Sequence, residues 1–296
     1  MKRTIIALFG VLGFLCVPIG GAQGEDLFSI ATHPYGAARF TANVFGRNED
    51  SDTTEDTIWD VSDNSGPTRC FHLGTGSVST TATALYISSD DENDASDNNG
   101  VIITVEALDA NWDPITVTAA LGAASASGTL FVQIGSVPLM RINKAYTATT
   151  SEAAPVGTIY MHDDASDGGT DGLPDDLPDD IISVIAIGEN RTHQACYTIP
   201  NDYNGFITGF CSTHVDTAAN ATFVTFRLRS SVEGAASQSQ EIIQLPETTY
   251  QCTGHVPPVK FGEKTDIELT AVSQANDATV FGSFDLLLID NRKAGL

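Results

Sequence analysis

The sequence is poor in positive charge. Its 296 residues hold 14 lysines and arginines against 38 aspartates and glutamates, a formal net charge of −24 at pH 7. The basic residues stand singly or in pairs, so no basic run exists. Such a surface repels phosphate backbones and anionic lipid, which argues against nucleic-acid binding. Helical periodicity is also missing, since no stretch after residue 25 repeats apolar side chains at helical spacing through three turns. The usual catalytic motifs are absent too. There is no Gly-x-Ser-x-Gly elbow and no Cys-x-x-Cys pair. The six histidines, His33, His72, His162, His193, His214 and His255, never fall four residues apart. The glycine-rich pieces Gly74-Thr75-Gly76 and Gly122 to Gly128 read as turns and do not open a helix as a phosphate loop must. These absences argue against a metalloenzyme, a serine hydrolase of the elbow type and a phosphate-loop enzyme.

What is abundant is carboxylate, and nearly all of it lies in polar stretches where nothing would shift a pKa toward catalysis. A glycosidase pair would need one acid in an apolar pocket, and only Asp60 beside Trp59 and Glu106 within its strand are arguable. Aromatic platforms for sugar are scarce: the tryptophans are Trp59 and Trp112, the latter in a turn that can expose it.

At the amino terminus, Lys2 and Arg3 precede an apolar run from Ile5 to Ile19, then Gly20-Gly21-Ala22-Gln23. This predicts a signal-peptide-like leader over residues 1–22, cleaved after Ala22, with no membrane association once it is removed. Beyond it, apolar runs of five to nine residues rich in Val, Ile, Thr, Phe and Tyr recur between Gly, Pro, Asn, Asp and Ser. That spacing predicts an all-β fold, a β-sandwich or jelly roll. In Thr222 to Arg229 the alternation is clean: Val224, Phe226 and Leu228 share one face while Arg227 and Arg229 take the other.

Two acidic stretches interrupt the pattern. Ser89 to Asn99 ends at Asn99-Gly100 and reads as a hairpin-like loop. Asp163 to Asp180 contains Asp167-Gly168-Gly169-Thr170-Asp171-Gly172 and two Leu-Pro-Asp-Asp repeats, which no core strand tolerates. It predicts a loop or linker over 151–180 between two tandem β domains, 23–150 and a jelly-roll-like 181–296. Asp163, Asp167 and Asp171 partly match the alternating oxygen ligands of a calcium loop, although Ala165 and Pro174 stand where further ligands belong. A solvated acidic loop is the favoured reading, and no other cofactor is expected.

Cys70, Cys196, Cys211 and Cys252 remain after the leader, an even number suited to an oxidising compartment. A hairpin centred on Tyr203 and Asn204 would set Cys196 opposite Cys211, within reach of a disulfide. Cys70 and Cys252 are left to pair elsewhere or remain as buried thiols.

The residues from Ile87 to Asn291 resemble β-rich virion structural proteins of tailed, often marine, bacteriophages. The resemblance rests on Ile87-Ser88-Ser89-Asp90-Asp91-Glu92-Asn93-Asp94, on Val105-Glu106-Ala107-Leu108-Asp109-Ala110-Asn111-Trp112, and on Arg141-Ile142-Asn143-Lys144-Ala145-Tyr146. It continues through Ile187-Gly188-Glu189-Asn190, Cys196 to Pro200, Phe226-Arg227-Leu228-Arg229 and Phe284 to Asn291. It implies a non-enzymatic capsid-decoration, collar or fibre-associated protein that assembles with itself and with other virion proteins, and it supplies no catalytic residues. The leader supports a different expectation, a secreted or periplasmic adhesin or glycan-binding module.

Overall fold

The computed structural model describes residues 39–59, 70, 72–73, 77–78, 80–148, 154–165, 171–174, 181–215, 223–233, 235–246, 248–275 and 278–292. The expected leader, Asp60 and Asp167 lie outside them. In chain order the strands begin with β1 (Arg39–Ser51), β2 (Asp56–Thr57), β3 (His72–Leu73), β4 (Ser77–Val78), β5 (Tyr86–Ser89) and β6 (Ile102–Asp109). Next come β7 (Pro114–Ala120), β8 (Val132–Gln133), β9 (Leu139–Thr147), β10 (Ile159–His162), β11 (Ile181–Ile185) and β12 (Cys196–Thr198). The last six are β13 (Tyr203–Val215), β14 (Phe223–Val232), β15 (Gln238–Pro246), β16 (Thr249–Phe261), β17 (Thr265–Ser273) and β18 (Ala278–Asp290). A single 3-10 turn, Glu92–Asp94, is the only helical segment among the described residues. The fold is all-β, as the short alternating runs predict.

One antiparallel sheet has the order β1-β18-β13-β16 and a second the order β12-β17-β14-β15, with β2 also on β17. They face each other across a core of Phe40, Val44, Phe210, Phe226, Leu228, Leu269, Phe284 and Leu286, among others. Period-2 alternation builds it: Phe40, Ala42 and Val44 of β1 are buried while Arg39, Thr41 and Asn43 between them are exposed. β2 and β12 occupy one strand position, since Thr57 lies opposite Thr270 and Tyr197 opposite Ile267 of the same β17. Counted so, eight strands, four to a sheet, follow the double Greek key of a jelly roll, the chain changing sheet at every step except the β14–β15 hairpin.

The chain leaves this sandwich after Ile58 and returns at Ala195, and the two points touch. Ile58 N donates to Leu269 O (2.9 Å), Leu269 N to Ala195 O (2.8 Å) and Ala195 N to Ile58 O (2.8 Å). Trp59 and Gln194 form the next bridge outward. An insertion whose ends are neighbours leaves its parent fold unperturbed. The inserted residues build a second sandwich, β11-β10-β5-β8 over β7-β6-β9, around Ile87, Ile103, Val105, Leu121, Ile142, Ile159 and Met161.

Several sequence expectations are corrected here. The domains are not tandem segments parted at 150 and 181, because β1 completes the carboxy-terminal sheet by pairing along β18, and β10 and β11 belong to the inserted sandwich. The stretch 163–180 connects β10 to β11, neighbours in one sheet, and is not a linker between domains. Ser89 to Asn99 joins β5 to β6 in different sheets and so is not a hairpin. Nor is it all solvated: Asp94 is fully buried and accepts from Val156 N (2.7 Å), Gly157 N (2.9 Å) and Ser89 Oγ (2.7 Å). Cys196 and Cys211 do not pair. The turn between β12 and β13 carries the chain from one sheet to the other, so the two cysteines sit on opposite layers. The disulfides are Cys70–Cys196, which ties the insertion to the jelly roll, and Cys211–Cys252, which crosses between β13 and β16.

Candidate functional site

The seam between the two sandwiches is built from buried polar groups. β9 runs beside the edge strand β12, and Asn143 takes the place of a neighbouring strand. Its Nδ2 donates to Thr198 O (3.0 Å) and its Oδ1 accepts from Thr198 N (2.8 Å). Two residues earlier, Arg141 forms a two-pronged ion pair with Asp266 of β17, Nε to Oδ1 at 3.1 Å and Nη2 to Oδ2 at 3.0 Å. Both residues are 3% exposed. Thr198 Oγ1 donates to the same Asp266 Oδ1 (2.6 Å), Arg141 Nη1 donates to Met140 O (2.8 Å), and the guanidinium lies 5.0 Å from the centre of the Trp112 ring. Gln194 continues the seam, accepting from Ser183 Oγ (2.6 Å) and donating to Ile142 O (3.1 Å). Charges this deep are tolerated only with such complete partnering.

Beside the seam is a cavity of about 110 Å³ lined by Ala42 to Phe45 of β1 and by Glu106, Asn143, Lys144, Arg191, Gln194 and Tyr197, among others. Burial, and after it the charge of Glu106, push the Tyr197 phenol well above its ordinary pKa, so it stays protonated. Among the described residues Glu106 is the one carboxylate on the wall. A glycosidase needs two, and substrate pockets run to about 300 Å³ or more. The space suits waters or a small ion and does not suit a sugar.

Asp163 follows the end of β10, while Asp171 Oδ1 accepts from its own neighbour Leu173 N (3.2 Å). Among the described residues no three His, Cys, Asp or Glu side chains gather closely enough to hold a metal ion. Trp112 is not displayed on its turn. Like Trp59 it is 3% exposed, held down by the Arg141 contact and by Leu108 and Met140, so neither ring offers a platform to sugar.

A second acidic cluster, not anticipated from sequence, lies where the chain approaches the insertion. Glu55 receives Arg227 (2.6 Å), Arg229 (2.7 Å) and Thr270 Oγ1 (2.7 Å). Burial alone would raise its pKa, but the Thr270 and Arg229 hydrogen bonds and both arginine charges outweigh that and lower it. Among the described residues no cation offsets Asp56 next to it. Burial first, then the charges of Asp52, Asp50 and Glu55, push its carboxyl up to about 7. The sign follows: the folded state holds this proton more tightly than the unfolded chain, so the penalty is absent below about pH 4 and complete above about pH 7. Asp56→Asn is expected to raise the melting temperature at pH 8, by about 1–2 kcal/mol of stability once solvent screening is allowed for. The gain should vanish at pH 4. Equal gains at both values in thermal melts would remove the titration as the cause.

The side of the jelly roll away from the insertion is open. β15 and β16 are the outer strands of their sheets, and among the described residues β16 pairs only with β13. Thr249 to Gly254 pair residue by residue with His214 to Gly209, after which four residues, His255 to Pro258, stand against the single Thr208 in a bulge.

No family model matches the chain and no curated protein matches it. Among solved structures it is similar to the infectious bursal disease virus Gx strain, at 9% identity over 85% of this chain and 72% of that one, with a TM-score of 0.21. It is likewise similar to a VP2 subviral particle of the same virus, at 10% identity over 91% and 76% with a TM-score of 0.21. A third likeness is to T=1 particles derived from that virus, at 10% identity over 87% and 71% with a TM-score of 0.22. Likenesses this distant bear on neither family nor function.

Proposed function

We propose that the chain is a virion structural protein that works by assembly with copies of itself and with other virion proteins. The observation that carries this is the architecture: a jelly roll bears a second sandwich inserted into one edge strand, and a buried, fully partnered seam fixes the two together. A hinge would leave such an interface small and solvated, whereas a seam of Arg141, Asp266, Asn143 and Gln194 holds the inserted sandwich as a rigid projection. Jelly rolls serve capsids, lectins and small-molecule sites alike, so the fold alone does not decide. The glycan-binding alternative is weakened by the burial of both tryptophans. The phage resemblance, whose segments fall in both sandwiches, suggests a decoration, collar or fibre-associated role in a tailed particle. Mass spectrometry of purified particles from the source tests the reading. Stoichiometric recovery of the chain supports it, and absence from particles together with binding on a glycan array overturns it.

A further inference from the structure

We infer that the outer edge of β16, from Thr249 to Gly254, pairs with the same edge of a second copy, joining two four-stranded sheets across a two-fold axis. The inference deepens the assembly reading and rests on it for its biological setting.

An exposed strand edge offers a row of unpaired backbone donors and acceptors, and proteins that must remain single blunt it with charge, proline, bulges or cover. β16 uses those devices over half its length only. The bulge and Pro257-Pro258 interrupt residues 255–258, yet Thr249-Tyr250-Gln251-Cys252-Thr253-Gly254 runs in unbroken register with β13 and contains no charged residue and no proline. Its far edge has no backbone partner among the described residues. Cys211–Cys252 staples it to β13, which keeps the strand extended and lowers the ordering cost of a partner. The two most exposed large apolar side chains among the described residues, Val256 at 98% and Tyr250 at 73%, both belong to this strand.

Charge selects the occupant. Any contact between two copies of a chain with net charge −24 tends to set carboxylate against carboxylate. β16 has no acidic residue at all and carries Lys260, while its His255 is taken up by Glu241 of β15 at 3.3 Å. The neighbouring edge strand β15 differs on this point, because Glu241 lies near its middle and antiparallel pairing of β15 with itself would bring two glutamates together. A two-fold pairing of β16 is isologous and closes after two copies, so it adds a dimer contact without running on into a fibre.

The test uses the full chain in light scattering after size-exclusion chromatography. Twice the monomer mass is expected. The double variant Tyr250→Glu/Gln251→Glu should raise the dimer dissociation constant on the order of 100-fold while leaving the melting temperature of the monomer in place. Ser239→Glu/Gln244→Glu on β15 should leave the dimer intact. If the β16 variant fails to fold, hydrogen exchange on the unmodified chain decides: amides of 249–254 must gain protection as concentration rises. A monomer at every concentration, a dimer indifferent to the β16 charges, or protection that arises only when a different virion protein is added would each overturn the inference. Particles that contain the chain but assemble normally with the β16 variant would defeat the inference and spare the virion reading. A β16-dependent dimer absent from all particles would do the reverse.

Discussion

Arg141→Ala is expected to cost about 3–5 kcal/mol, a fall in melting temperature on the order of 10 °C, because it strands Asp266 as an uncompensated charge beneath the inserted sandwich. The two residues are 3% exposed, so water cannot replace the guanidinium without opening the seam. Thr198 Oγ1 remains as one donor to Asp266, which is too little for a carboxylate that loses both prongs of its partner. Removing the whole buried network should be far milder. Arg141→Met with Asp266→Leu and Thr198→Val replaces charge by apolar volume, and such exchanges are neutral or stabilising where packing allows. Denaturant titration of the single and triple variants separates the two effects. A loss below about 1 kcal/mol for Arg141→Ala would show that the seam is open to solvent. A triple variant as unstable as the single one would assign the loss to packing around Trp112.

The sequence carried the faces of the strands well and their neighbours poorly. Alternation in Thr222 to Arg229 placed Val224, Phe226 and Leu228 inward, and all three are fully buried. The turn that holds Trp112 lies between β6 and β7, with Asp109 Oδ1 accepting from Asn111 N (2.8 Å) and Asp113 N (3.0 Å). Period-2 alternation says which side of a strand is buried, but not which strand lies alongside. The pairing of Arg39 with Ile289 closes the sheet over most of the chain, and no local signal announces it. The cysteines illustrate the same limit: Cys196 and Cys211 are near in sequence and on different sheets, while Cys70 reaches across the insertion to Cys196. Arg141 in Leu139-Met140-Arg141-Ile142 was visible as a charge inside an apolar run. Its partner was not, because Asp266 lies on the outer face of its sheet, where Arg141 of the inserted sandwich meets it.

Gly46→Ala is expected to destabilise by more than about 3 kcal/mol, enough to prevent accumulation of folded protein in many hosts. Gly46 of β1 lies opposite Gly282 of β18, and together they form a notch on the inner face of the sheet. Into that notch run the two ends of the insertion. A methyl group at Gly46 would stand 2.0 Å from Ile58 O and 2.5 Å from Ala195 N, while one at Gly282 would meet Leu269 Cδ2 at 2.5 Å and Ile58 Cδ1 at 2.7 Å. The Gly46 neighbours are backbone atoms engaged in the Ile58–Ala195–Leu269 hydrogen bonds, so they cannot turn aside as a side chain can. Gly100→Ala supplies the comparison. Gly100 has φ of +61° and open space around its missing Cβ, so its cost is conformational only, about 1 kcal/mol. Thermal melts of the two variants therefore distinguish close approach from backbone preference. Equal losses would mean that the insertion does not depend on the notch. A Gly46→Ala protein that folds with the inserted sandwich intact, but with Ile58 and Ala195 amides newly exchangeable, would show instead that the junction can part while both sandwiches survive.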